Sequence, residues 1–434
     1  MSATRLERLR RDWTDLDGQK VRFQSLFFVH FVAFSGLVVF RNVYLEQMGM
    51  SGSAMGQIGF LMTATGVAAQ PVWGLVTDYL RAERPVLVVG GAVSALGLLA
   101  YPYADGLAEP FLLVAVGTAV FSVFHAPIVP IANGLVLSQG YDYGKIRAFG
   151  SVAFGIGSLG FGFLVAVAGI ASIVYVYAVG MVVLVGVVWT LSETEADAVE
   201  QGKRDDLKAS GETGVDTADD TGDDASDGEP PLPEAVRKLA TNREFLVVLL
   251  VAFVVGLSIR GGSAFFSVYM RAVEASAVLG PWTLSADALT GMAWTVKTLF
   301  EAGAFVYALR FSDSYRAFLV VGGAGVALPH LVYGLTAEPW AILAVQVAGG
   351  LGYGLYNLAV VNLVFAVASE RVTSTAQTAL TGLGLGFGGA VGEVVAGELV
   401  DAIGLQRTYL YLAAIGFVGA ALGLLVRDSS GEGD

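Results

Sequence analysis

The chain has no cysteine, only three histidines, and charged side chains at just 15% of its 434 positions. Without cysteine there are no disulfides, no thiol nucleophile and no thiolate metal site. So few histidines leave no histidine-rich metal set, and no nucleophile-and-base cluster suggests an intramembrane enzyme. The phosphate-cradling pattern G-x-x-x-x-G-K-[ST] is absent throughout, which removes the signature of a nucleotide-driven pump. The opening "MSATRLERLRRDWTDLDGQKVRF" holds basic residues but no compact apolar core with a small-residue cleavage site. No removable signal peptide is expected, and the first apolar run is kept.

What is abundant is apolar surface. Hydrophobic residues make up 55% of the chain, and the mean hydropathy is +0.66, well above soluble usage. Apolar runs of about 20 residues, enough to cross about 30 Å of hydrocarbon as a helix, fall near 23–46, 54–79, 85–104, 110–138, 147–168, 171–191, 244–271, 284–309, 316–336, 340–368, 374–399 and 407–426. The expectation is an all-α polytopic membrane protein of twelve transmembrane helices.

Basic residues fix the expected orientation. Among the 25 lysines and arginines, Arg271 and Arg407 alone fall in the loops after the odd-numbered spans, and Arg41, Arg260 and Lys297 lie within spans. The rest sit in the amino-terminal tail, every second loop and the carboxy-terminal tail, which places both termini in the cytoplasm of a plasma-membrane protein. The net charge of −13 is almost wholly local: between Ser192 and Glu234 lie 15 acids and only Lys203, Arg204 and Lys208. That stretch, with "GVDTADDTGDDASDGEPP" at its heart, reads as a solvated, disordered spacer. The expected division is therefore a tail at 1–22, a six-helix bundle at 23–191, an acidic linker at 192–240, a second six-helix bundle at 241–427 and a short tail at 428–434.

The halves echo each other. "GLVTDYLRAERPVL" after span two and "YALRFSDSYRAFLV" after span eight each place an acid just before an arginine and a new apolar run. Spans five and eleven are both glycine-dense, and Gly384, Gly388 and Gly392 form a GxxxGxxxG pattern suited to close helix packing.

The tracts "LEQMGMSGSAMGQIGFLMTATGVAAQPVWGLVTDYL", "FHAPIVPIANGLVL", "YDYGKIRAFGSVAFGIGSLGFG" and "AQTALTGLGLGFGGAVGEVVAGELVDAIG" resemble the major facilitator superfamily. Within it, they are similar to the branch containing the phenylpropionate permeases and nucleoside–proton symporters, distantly similar to lactose permease. The resemblance implies two pseudo-symmetric six-helix bundles with a central substrate path, and secondary transport of a small solute by alternating access.

Charges inside spans need a reason, since each costs roughly 2.5 to 3.5 kcal/mol on insertion scales. Lys297 and Glu301 in "AWTVKTLFEAGAF" are one turn apart, and an i,i+4 pair returns only about 0.2 to 0.5 kcal/mol. A face turned to a watery cavity explains them better. Arg260 in "VVGLSIRGGSAFF" lies mid-span, either lining a substrate path or paired with Glu301 or Glu393. Arg41 lies near the outer end of span one, where snorkelling to the interface is the plainer alternative. This surplus of basic groups favours a carboxylate- or phosphate-bearing solute.

The resemblance places Glu301 on the acid the branch carries in span eight, and so implies a proton-coupling role. Lys297 stands where the branch has a small or apolar residue. Competition for Lys297 between Glu301 and an anionic substrate would couple proton and solute. Asn133 stands where an Asp is common, and Gly349 and Asn357 stand where His is frequent, so a Na+-linked or an uncoupled carrier is the alternative. His30 and His125 are candidate replacement proton carriers, with packing the plainer reading. Asn133, Asn357 and Trp294 complete the candidate substrate contacts. By resemblance, Asp78 with Arg81 and Arg84, docking near Ser374, and Lys145 with Arg147 are candidate gating residues; the alternative for the basic ones is plain positive-inside topology.

These features point to a monomeric, cofactor-free transporter with a small-molecule solute, protons and the lipid bilayer as partners, and no nucleic acid. An organic anion is favoured over a nucleoside or sugar. The alternatives are an efflux antiporter, or a non-transporting membrane assembly or sensor protein of the same fold.

Overall fold

The computed structural model describes residues 18–427 except 81, 140, 142, 192–231, 309–311, 313 and 370–371. Its long helices follow the apolar runs: α1 (Gly18–Gln47), α2 (Gly52–Leu80), α3 (Glu83–Ala104), α4 (Phe111–Ser138), α5 (Tyr143–Ala168), α6 (Ser172–Thr190), α7 (Arg243–Ala272), α8 (Ala286–Tyr307), α9 (Tyr315–Leu335), α10 (Pro339–Val367), α11 (Thr375–Ile403) and α12 (Leu405–Leu422). Eleven of these segments are apolar enough in themselves to cross a bilayer. The exception is α8, diluted by Asp287, Lys297 and Glu301. Such a helix belongs in the middle of the assembly, and α8 packs between α5 and α10.

Local features shape these helices. Proline breaks α4 between Phe111–His125 and Ile128–Ser138, where Pro127 cannot donate to the helical ladder. The glycine-rich tract Leu380–Phe387 winds as a π-helix within α11. Between α7 and α8, β1 (Ala277–Leu279) pairs antiparallel with β2 (Trp282–Leu284). Gly280 takes φ +60° at the first position of the two-residue turn, as a primed hairpin turn requires. The bidentate Arg271–Asp287 pair, at 2.7 and 2.8 Å, ties α7 to α8 across this hairpin.

The expected linker at 192–240 needs one correction. Leu232–Thr241 forms a short helix, because Ala235 and Leu239 lie on one face and bury into the core around Phe245 and Val248. The acidic body of the linker lies outside the described residues.

Helices α1 to α6 pack as one bundle and α7 to α12 as another. They meet along α1–α7, α2–α11 and α5–α8. Glycines set how closely. A Cβ on Gly56 of α2 would stand 2.5 Å from the Glu393 carbonyl oxygen, and one on Gly291 of α8 would stand 2.4 Å from that of Ser158 in α5. Asp401 of α11 accepts hydrogen bonds from the Gly52 and Ser53 amides at 2.7 and 2.8 Å, capping the amino terminus of α2. Toward the other end the helices diverge: Gly74 of α2 faces open space. Val72, Leu75 and Tyr79 of α2, and Leu383 and Phe387 of α11, are exposed there. The molecule is therefore shut at the end carrying the α1–α2 and α11–α12 turns and splayed at the opposite one.

The GxxxGxxxG pattern has the packing role expected of it. Gly384, Gly388 and Gly392 face α7, and a Cβ on Gly392 would come 2.3 Å from the Leu257 carbonyl oxygen. Overpacking usually costs about 1 to 3 kcal/mol, and a clash with backbone sits at the upper end. Gly392→Val should therefore lower the thermal midpoint of detergent-purified protein, whereas Gly186→Val, where a Cβ meets nothing within 4 Å, should leave it nearly unchanged.

Candidate functional site

Where the halves begin to part, a cavity of about 240 Å³ opens between them. Helices α1, α2 and α5 supply one wall, including Arg41, Met62 and Phe154. Helices α7, α8, α10 and α11 supply the other, including Arg260, Trp294, Lys297, Glu301, Tyr353 and Glu393. At its shut end lies an ionic bridge. The Glu393 carboxylate, 1% exposed, accepts from Arg41 of the first bundle and from Arg260 of the second at 2.9 Å. Arg41 also donates to Asn42 Oδ1 at 3.0 Å and contacts Met62 Sδ at 3.2 Å.

Small residues make this bridge possible. A Cβ on Gly59 of α2 would fall 1.6 Å from a Glu393 carboxylate oxygen, and one on Gly389 would fall 2.6 Å from Cγ of Arg260. Sequence reasoning missed both positions, because neither belongs to a spaced glycine pattern that points to a charge. It did anticipate Glu393 as a partner for Arg260. The snorkelling alternative for Arg41 does not hold: the side chain turns inward and is 6% exposed, since a buried carboxylate offers a better partner than the interface.

The other charges lie on α8. Gly350 and Gly354 of α10 bring that helix against the backbone of Lys297 and Glu301, with a Cβ on Gly350 falling 2.2 Å from the Lys297 carbonyl oxygen. The Lys297 ammonium lies 4.7 Å from the centre of the Trp294 ring and 5.5 Å from that of Tyr353, held by cation–π attraction. Trp294 in turn meets Phe154 of the opposite bundle edge-on at 5.8 Å. Three cations and two carboxylates thus share the cavity wall, an electrostatic surplus suited to one negative charge.

The remaining candidates are placed less centrally. Asn133 and Asn357 do not line this cavity; Asn357 donates to the Tyr353 carbonyl at 3.0 Å. Arg84 donates to the Leu191 carbonyl, tying the start of α3 to the end of α6 within one bundle. The gating expectations for Asp78, Arg81, Lys145 and Arg147, and the docking point near Ser374, fall on side chains outside the described residues. His30 and His125 stack at 5.0 Å inside the first bundle, and His125 Nδ1 bonds the Tyr177 hydroxyl at 2.8 Å; neither lines the cavity. Among the described residues no group of three or more acidic or histidine side chains is placed to hold a metal ion.

Comparison with known proteins agrees with this architecture. The model of the MFS_1 like family matches residues 20–411. The maltose permease of Geobacillus stearothermophilus is 26% identical over 94% of each chain. A probable 3-phenylpropionic acid transporter of Escherichia coli is 28% identical over 32% of this chain and 37% of that one. The crystal structure of the nucleoside transporter NupG superposes with a TM-score of 0.73, covering 94% of this chain and 98% of that one at 15% identity.

The bridge has a measurable consequence. Glu393→Gln leaves two guanidiniums facing a neutral amide, and removing one partner from a buried ion pair typically costs about 3 to 5 kcal/mol. The variant should melt lower and open at the shut end. A cysteine introduced at Ser53 in the naturally cysteine-free chain should then react faster with a polar maleimide than the same cysteine with Glu393 intact.

Proposed function

From the premise that the chain belongs to the MFS_1 like family, and so is a multi-pass secondary transporter of a small solute, we propose that it carries an organic anion coupled to protons. The observation that carries this reading is the Lys297 ammonium on the wall of the inter-bundle cavity, with Glu301 one helical turn away. Arg41 and Arg260 are engaged by Glu393, so Lys297 is the cation offered to a solute. When an anion takes Lys297, Glu301 loses its positive neighbour and accepts a proton; when the proton leaves, the carboxylate reclaims the ammonium and the anion is released.

Transport then proceeds by alternating access. The two bundles rock about the site, with the bridge broken in the opposite state. With the orientation expected from the basic loops, both termini and the splayed end face the cytoplasm, the acidic linker is a solvated spacer between the bundles, and the transporter is a monomer. A sugar is the second reading, favoured by the likeness to maltose permease across 94% of both chains and by the aromatic faces of Trp294 and Tyr353. A nucleoside has only fold-level likeness behind it.

Proteoliposomes with an imposed pH gradient test this. Wild type should accumulate a carboxylate above its outside concentration, and Glu301→Gln should only equilibrate it. Lys297→Ala should weaken anion binding by about tenfold or more, the loss expected for a charged hydrogen bond of about 1.5 to 3 kcal/mol. Continued accumulation by Glu301→Gln would remove the coupling role, and wild-type anion affinity in Lys297→Ala would remove the anion site.

A further inference from the structure

Behind Lys297 the central cavity has an alcove of about 30 Å³, room for a single water-sized group. It shares Ile259, Ser263, Trp294 and Lys297 with the main cavity, and reaches back among Gly262, His330, Tyr333 and Gln346. All of these belong to α7, α8, α9 and α10, so the alcove lies wholly within the second bundle.

Its hydrogen-bonding character follows from counting hydrogens. Ser258 donates its one hydroxyl hydrogen to the Leu412 carbonyl at 2.8 Å, so at the 3.1 Å contact between Ser258 and His330 the imidazole Nδ1 must be the donor. Nδ1 therefore carries the hydrogen and Nε2 presents a lone pair. Nε2 faces Gly262: a Cβ there would fall 2.1 Å from it, so the glycine is what keeps that acceptor uncovered. The Gln346 amide donates to the Tyr333 hydroxyl and, at 3.2 Å, to the Ile342 carbonyl. Tyr333 keeps its own hydroxyl hydrogen to give.

One acceptor, His330 Nε2, and one donor, the Tyr333 hydroxyl, around a space for a single group match a hydroxyl, which both gives and takes a hydrogen bond. A methyl or ring carbon there would leave them unpaired, at about 1 to 3 kcal/mol for each buried polar group. We propose that this alcove is a subsite for one hydroxyl of the solute, so that the preferred substrate is a hydroxylated carboxylate of the sugar-acid type. Its carboxylate sits at Lys297, its carbon frame on the Trp294 and Tyr353 rings, and one hydroxyl between His330 Nε2 and Tyr333. This assignment rests on the anion reading of Lys297, and it gives a carrier whose likeness runs to a sugar permease a reason to hold a cation at its centre.

The test uses the purified full chain and three ring-sized probes: glucuronate, cyclohexanecarboxylate and glucose. Binding is followed by titration calorimetry. Glucuronate should bind roughly tenfold more tightly than cyclohexanecarboxylate, and Gly262→Ala, whose Cβ would press on His330 Nε2 and cover the acceptor, should bring that ratio near one while cyclohexanecarboxylate still binds. Val326→Leu, which fills the same space from α9, gives the same reading if Gly262→Ala does not fold. Equal affinity for the two acids in wild type, a ratio that survives both fillings, or no binding of any probe overturns the subsite. Glucose binding as tightly as glucuronate, with that binding lost on filling, would instead overturn the anion reading and leave the hydroxyl subsite standing.

Discussion

One buried carboxylate joins the two halves of this protein at their centre. Glu393 holds Arg41 from the first bundle and Arg260 from the second, and the surrounding sequence is arranged to let it. Gly56 and Gly59 on α2 give up their side chains so that α11 and its carboxylate can reach the guanidiniums. A buried ion bridge adds little net stability when complete and costs several kcal/mol when broken, so its value lies in specifying one arrangement of the bundles. It makes the shut end a discrete state, which is what a rocking carrier requires.

That state also decides which charges remain for a solute. With both arginines engaged, the cavity presents Lys297 on its aromatic seat, and in the proposed coupling the neighbouring Glu301 is the group whose protonation responds to what Lys297 binds. Splitting the cations between a structural bridge and the proposed binding site lets the carrier hold three positive groups with two carboxylates on one cavity wall. The diverging halves of α2 and α11 at the splayed end, with Val72, Leu75, Leu383 and Phe387 uncovered, are apolar surfaces that closure of that end would bury.

Much of the fold was legible in the sequence because membrane spans obey a length rule and the apolar runs are punctuated by charge. The charges within spans were equally visible, since lipid makes each one conspicuous. What was hidden depended on contacts between distant segments. Gly59 reads as an ordinary glycine until Glu393 is seen 334 positions away. The inward turn of Arg41 depends on the same partner. The His330 alcove escaped notice because a histidine on an apolar helix looks like packing until Ser258 and Leu412 fix which nitrogen carries hydrogen. The hairpin at Ala277–Leu284 and the π-helical turn of α11 escaped because short elements leave too little periodicity to read.

The proposed exchange of Lys297 between Glu301 and an anion would move a proton. The direct measurement is the number of protons taken up when a carboxylate binds the purified protein near neutral pH, from calorimetry in buffers of different ionisation enthalpy. The wild type should take up close to one proton per anion bound, and Glu301→Gln should take up none. Anion binding with no proton uptake, or with the same uptake in Glu301→Gln, would contradict the account.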